Sequence, residues 1–321
     1  MTDSVPDEPT LRGVLERAGR APSLHNSQPW QWRWNGARLA LYTDPERLLP
    51  GTDAFNRQGM LGCGAVLHHA MVAFAAAGWP VRAALFPDPV HRAHLASLTF
   101  AGPHPPAEGE LALGAAIEAR YTDRAPMAAV PNWSDLVQVL AAVCERHDVL
   151  PQPVAPELRA ELERISWTAG ALRRRDPRYQ DEARWWLGGA APGSGVPAAV
   201  LPNRDDALRV PVRREFPAGS ADPGPTEHDD AHLLLLATAD DSPESLLSCG
   251  AVLSAVLLEC ADHAVSTCVL THLTELPAIR SRVVELTGAG HPQAFVRAGL
   301  ATAPRPPRTP RRPIGTVLTP G

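Results

Sequence analysis

Two stretches of this chain are apolar on nearly every helical face: LGCGAVLHHAMVAFAAA from Leu61 to Ala77, and the run from Ser245 to Asp262. A helix with no polar face has to be covered on all sides, so both belong at the centre of the fold. They also share a word. CGAVL occurs at 63–67 and again at 249–253, an offset of 249 − 63 = 186 residues, and each copy opens a buried helix that leads to a short strand. The repeat predicts two similar halves, each packing a central helix on its own sheet and on its counterpart, as two subunits would if fused into one chain. We place the first half at residues 1–110 and the second at 111–321.

The surrounding pattern reads as α+β. Residues 8–20 form a short amphipathic helical pattern ending before Pro22, and the alternating runs from Trp30 to Tyr42 around Asn35-Gly36 predict a β-hairpin. Proline and glycine break the chain around 87–106. Helical patterns cover 111–119, 133–146, 157–175 and 178–187; His232 to Thr238 reads as a buried strand, and short strands near 265–270 and 294–300 flank a helix at 275–286. From Gly188 to Asp230 the composition turns to Gly, Pro, Ser, Asp and Arg, and a stretch this long without periodicity is a disordered linker or a lid. The tail RPPRTPRRPIGTVL is too rich in proline for regular structure and is expected to run extended.

Composition narrows the function classes. A formal charge of −5 offers no global positive field for nucleic acid or an anionic membrane. MTDSVPDEPT lacks the basic start and apolar core of a secretory signal, and no uninterrupted apolar window reaches a membrane span, so a soluble cytoplasmic protein is expected. The 5 cysteines, without a C-x-x-C pair, fit reduced thiols. All 30 basic residues are arginine, so any anion is held by guanidinium forks or backbone amides. His91 and His94, with His68 and His69, match no zinc spacing, and no metal is expected. Arg173 to Arg175 read as a solvated helix face. No G-x-G-x-x-G, P-loop or G-x-S-x-G motif is present.

The segment richest in chemistry is APSLHNSQPW, from Ala21 to Trp30. Two prolines fix the backbone, Ser23, His25, Asn26 and Gln28 offer donors and acceptors, and Trp30 is a flat anchor. Read from the residues alone, this is either a rigid turn that satisfies its own backbone or the wall of a binding site. APSxxNxQPW after a short N-terminal helix resembles the flavin-binding segment of the nitroreductases, and its details resemble their actinobacterial Acg-type branch. RYTDR at 120–124 is similar to the family's Arg-x-Ser-x-(Arg/Lys) motif, and GHPQAFVRAGLATAPRPPRTPRRPIGTVL at 290–318 to its C-terminal block.

That resemblance implies an α+β nitroreductase fold resembling a fused homodimer, with FMN as cofactor and NAD(P)H as electron donor. It places Ser23 and Asn26 beside the ribityl chain and isoalloxazine, with His25 and Gln28 in the same segment. Arg120 falls on the phosphate, Thr122 keeps the hydroxyl of the motif's usual serine, and Arg124 lies near N1/O2, where positive charge favours the reduced flavin. Arg311 and Arg312 would complete the phosphate clamp, an alternative to reading the Arg305–Arg312 cluster as a nucleic-acid tail. Val269, Leu270 and Thr271 would run past N5. Leu24 stands where a polar residue is common.

The implied activity is hydride transfer from NAD(P)H to the flavin and on to a small-molecule acceptor such as a nitroaromatic or quinone, by a monomeric pseudo-dimer or a homodimer, with no nucleic-acid or membrane partner. The alternative is an FMN-sequestering or flavin-sensing protein whose 188–230 segment covers the cofactor. A third reading is dehydrogenation of a biosynthetic intermediate. No acid/base side chain is assigned, His25 being the nearest. Each flavin motif occurs once, so one complete site per chain is expected.

Overall fold

The computed structural model describes residues 5–144, 147, 149, 151–188, 193–217, 219–222 and 224–321; of the 188–230 segment, residues 189–192, 218 and 223 therefore lie outside the described residues. In chain order the first half contains α1 (Glu8–Ala18), β1 (Trp30–Trp34), β2 (Leu39–Thr43), α2 (Arg57–Ala76), β3 (Val81–Leu85) and β4 (His94–Phe100). There follow α3 (Glu108–Ala119), β5 (Met127–Ala128), α4 (Trp133–Cys144), β6 (Pro151–Pro153), α5 (Arg159–Arg174), α6 (Pro177–Trp186), α7 (Arg204–Arg209) and β7 (His232–Thr238). The chain ends with α8 (Pro243–Asp262), β8 (Ser266–Leu270), α9 (His272–Glu275), α10 (Pro277–Thr287), β9 (His291–Ala301), α11 (Ile314–Val317) and β10 (Leu318–Pro320).

The duplication is written into the topology. Strands run β1-β2-β4-β3 in one sheet and β6-β7-β9-β8 in the other, every neighbour antiparallel, with α2 joining β2 to β3 as α8 joins β7 to β8. Even the register slip recurs, between Leu41 and Tyr42 in β2 and between Leu236 and Ala237 in β7.

The two central helices cross at the glycines of the repeated word. A Cβ on Gly64 would sit 2.0 Å from the Leu247 carbonyl oxygen and 2.9 Å from the Gly250 Cα, and one on Gly250 would sit 2.1 Å from the Leu61 oxygen. These two glycines are equivalent under the 186-residue offset, so the pseudo-twofold axis passes between them. His68 and Ser254, also 186 residues apart, meet each other at 2.7 Å. By length and composition α2 and α8 could each cross a membrane, yet their apolar sides are covered by one another and by the two sheets. This packing is what their all-round apolarity serves.

Local chemistry sets the ends of these elements. Asp7 caps α1 by accepting the Thr10 amide at 2.9 Å, and Ser242 caps α8 by accepting that of Ser245, each with proline in the first turn. In the hairpin, Asn35 Oδ1 accepts the amides of Ala37 and Arg38 and Gly36 takes φ +89°, so the turn centres on Gly36-Ala37, one residue beyond the expected pair. Alternation in WQWRW buries Trp30 and Trp32.

Three expectations are corrected. The Pro/Gly-broken region contains β4, whose Leu95, Ala96 and Leu98 are core residues. The tail ends in a short helix and a strand, β10, that pairs in parallel with β1, so the C-terminus of the chain completes the sheet of the N-terminal half. Arg173 is not solvated: it is buried, donating to the carbonyls of Gly51 and Thr52 and pairing with Glu275 at 3.3 Å.

The largest departure from symmetry lies between β6 and β7. Where the first half makes a tight turn, the second inserts residues 154–231, including α5, α6 and α7. The glycine- and proline-rich stretch is the later part of this insert. Val196, Val200, Leu201, Val210 and Val212 within it are buried, which contradicts a disordered linker.

Candidate functional site

Residues from the loop after α1, the first turns of α2, the segment after α3, the insert, α8, the end of β8 and the C-terminal tail converge on one cavity of about 140 Å³. Of the residues singled out from sequence, Ser23, His25, Asn26, Arg120, Thr122, Arg124, Val269, Thr271 and Arg311 line it. Gln28, Leu270 and Arg312 do not. Leu270 points to the opposite face of β8, into the core with Phe295.

The loop is held in an unusual backbone. His25, Asn26 and Gln28 have φ of 50°, 55° and 53°, a left-handed conformation that non-glycine residues rarely adopt and that persists only when surroundings impose it. The imposing contacts are explicit. Ser23 Oγ accepts the Gln28 amide at 3.0 Å; Gln28 Nε2 donates to the carbonyls of Asn26 and Gly193, and Gln28 Oε1 accepts the Arg312 amide. Asn26 Nδ2 donates to the carbonyls of Gly195 and Pro310, both at 2.9 Å. The motif's amides therefore tie loop, insert and tail together. Arg312 is committed likewise, to the carbonyls of Gln28, Trp30 and Thr316 and to Asp44 at 3.0 Å, and it lies outside the cavity lining, whereas Arg311 lines the cavity while donating to the carbonyls of Gly19, Arg20 and Pro310.

One end of the cavity is a cluster of arginines. Arg20, Arg120, Arg305, Arg308 and Arg311 all line it, and the acid among them is Glu118, which pairs with Arg20 at 3.5 Å and Arg308 at 2.9 Å. Arg120 is buried, donates to the Arg20 carbonyl, and leaves Nε without a partner. Burial, with repulsion from Arg20 and Arg305, lowers its pKa to about 10; burial, with repulsion from Arg120 and Arg20, lowers that of Arg311 to about 9. Both stay protonated at neutral pH. Neither has a carboxylate partner among the described residues, and uncompensated buried cations are costly. Guanidinium forks of this kind suit an oxyanion.

The other end holds His25, Arg124 and Arg214 between Val196, Val200, Phe216 and Val269. Arg214 donates to Glu275, Thr271 and the Tyr179 hydroxyl; burial alone would lower its pKa, and Glu275 with Tyr179 more than reverses this. Arg124 lies 5.4 Å over the Phe216 ring. His25 is pushed well below its ordinary pKa by burial and then by Arg214, Arg124 and Arg173, so its imidazole is neutral.

Sequence reasoning missed the insert's contribution. Val196, Val200, Arg214 and Phe216 carry no motif, and Arg214 finds Glu275 61 residues away. The insert is also fastened to the loop: Arg47 donates to the Ser27 carbonyl and to Ser194 Oγ, and Trp186 packs with Leu49 against Leu24. It is a wall of the cavity.

The chain is 40% identical over 323 residues to a Mycobacterium tuberculosis protein, acg, named as an NAD(P)H nitroreductase, a match covering 99% of this chain and 98% of that protein. A second M. tuberculosis protein named in the same way is 35% identical over 325 residues, covering 99% of this chain and 93% of its own. The FMN-dependent nitroreductase NfnB from Mycobacterium smegmatis, solved in complex with NADPH, overlays with a TM-score of 0.42 at 15% identity, over 65% of this chain and 97% of that one. No model of a protein family matches.

Proposed function

This chain belongs to the nitroreductase family, and we propose that it is a cytoplasmic FMN-dependent oxidoreductase that takes a hydride from NAD(P)H and passes electrons to a small-molecule acceptor such as a nitroaromatic or quinone. The observation that carries this reading is the arginine cluster in which Arg120 is buried and Arg311 half-buried, neither with a counter-ion among the described residues. Those two would hold the phosphate, Ser23 and Thr122 would flank the ribityl chain, and Arg124 would set positive charge against the pyrimidine edge. When bound, FMN supplies the hydride acceptor and electron carrier. The protein's part is orientation and charge. Val269 and Thr271, at the end of the edge strand β8, and the apolar wall of Val196, Val200 and Phe216 keep the slot flat and dry.

One site per chain follows from the asymmetry. The insert and the tail each occur once, and both build this cavity, so its twofold mate has no such walls. The sequestering reading keeps its own support, since the same insert closes over the cavity and is tied down by Asn26, Gln28 and Arg47.

The test is to count flavin and then reduce it. Denatured holoprotein should release close to one FMN per chain, and anaerobic NADPH should bleach the bound flavin as dithionite does. Bleaching by dithionite with none by NADPH would replace the oxidoreductase by a sequestering protein; two flavins per chain would contradict the single site.

A further inference from the structure

A second concavity, of about 570 Å³, opens between the starts of α2, α8 and β9 and the side of α10, and it shares no lining residue with the arginine-lined cavity. Its size is that of a small-molecule cleft. Its floor is Arg57, the first residue of α2, which is buried and has no part in the flavin reading. Arg57 Nη2 donates to the Thr274 carbonyl, and Nη1 reaches Gln293 Oε1 only at 3.4 Å; both acceptors are neutral.

Among the described residues no carboxylate pairs with Arg57 within 4.0 Å, although burial and then the Arg280 charge both oppose its cation. The acids that attract it from farther off are engaged elsewhere. Asp241 accepts a two-pronged bond from Arg280, at 2.6 and 2.7 Å, and another from Gln293; Asp53 accepts the Gly59 amide; Glu275 pairs with Arg173 and Arg214. Arg280 spends its remaining donor, Nε, on the Pro292 carbonyl. A buried guanidinium without a counter-ion is costly, so an anion reaching this floor gains a charge-assisted bond.

The walls suit a different kind of group. Leu246, Pro277 and Val284 are apolar, and Phe55 stands on the rim 61% exposed, a large aromatic surface left to solvent. From this juxtaposition we propose a second binding site, for a monocarboxylate with an apolar body: the carboxylate pairs with Arg57, and the body lies between Phe55 and the wall of Leu246 and Val284. One uncompensated cation matches a single negative charge rather than a phosphate dianion. The site does not depend on the flavin reading. Its floor is nonetheless the back of the other cavity's wall, because Gln58, next to Arg57, lines that cavity and bonds Thr274 Oγ1 and the Gln293 carbonyl.

The test titrates 2-naphthoate, and its cationic counterpart 2-naphthylmethylamine, into the protein as isolated. Calorimetry should show naphthoate binding at least about tenfold more tightly than the amine. Arg57→Gln should weaken naphthoate about tenfold or more, the loss of one bond between charged groups, with Arg57→Lys falling between. Phe55→Ala and Ser281→Glu change exposed positions and should melt as the wild type does. The first should weaken naphthoate about threefold to tenfold by removing an aromatic contact, and the second about threefold or more by setting a negative charge in the lining. Equal affinity for the two probes, or naphthoate binding unchanged in both Phe55→Ala and Ser281→Glu, would overturn the proposal. So would loss of naphthoate binding in Arg124→Ala, which would move the probe into the flavin cavity.

Discussion

Gly64→Val should leave little folded protein. The added Cβ would lie 2.0 Å from the Leu247 carbonyl oxygen, and that oxygen belongs to the backbone of α8, so no rotamer change relieves the clash. The helices would have to separate at the point where the two halves share their core. Overpacking against backbone at such a crossing costs on the order of 4 kcal/mol or more, a large share of the roughly 5–15 kcal/mol that keeps a domain folded. Gly109→Ala is the control, because nothing lies within 4 Å of its Cβ position. Thermal unfolding should show Gly109→Ala near wild type and Gly64→Val unfolded or melting far lower. Wild-type stability in Gly64→Val would mean that the helices do not cross at the repeated glycines.

Replacing residues 193–217 by a short Gly/Ser linker should abolish FMN binding, a loss of at least about a hundredfold. From sequence, residues 188–230 read as a disordered linker or a lid; the structure puts Val196, Val200, Arg214 and Phe216 of this stretch in the cavity wall. Its loss also takes one acceptor each from the Asn26 and Gln28 side chains and strips Arg214 from the buried Glu275, and breaking a buried pair costs about 3–5 kcal/mol. The repeated strands and α8 lie outside the deletion, so circular dichroism should still report a folded core. Retained FMN with faster NADPH reduction would make the segment a detachable lid after all.

How much was legible depends on whether a signal was local. The duplication could be read because a buried helix crossing needs glycine and small apolar residues, and the need is the same in both halves, so CGAVL appears twice. The loop could be read because its polar residues are crowded into Ala21 to Trp30. What those residues do was only half visible: Asn26, Gln28 and Arg312 have the right types for a ligand, but the geometry commits Asn26's Nδ2 to protein carbonyls and holds Gln28 and Arg312 outside the cavity. The last strand was hidden because proline usually ends strands, whereas here β10 lies at a sheet edge, paired with β1 from the far end of the chain. The insert was hidden for a related reason. Its buried residues follow no period, and their partners, Glu275, Asn26 and Arg47, are distant in sequence.

The central claim is that the arginine cluster around Arg120 receives the phosphate of FMN, and the measurement that tests it most directly compares FMN with riboflavin, which lacks that phosphate. Wild type should bind FMN far more tightly than riboflavin. In Arg120→Ala the loss of a charge-assisted contact to a buried phosphate, about 1.5–3 kcal/mol, should weaken FMN roughly tenfold to a hundredfold and leave riboflavin nearly unchanged. Equal weakening of both ligands, or a wild type that does not distinguish them, would contradict the account.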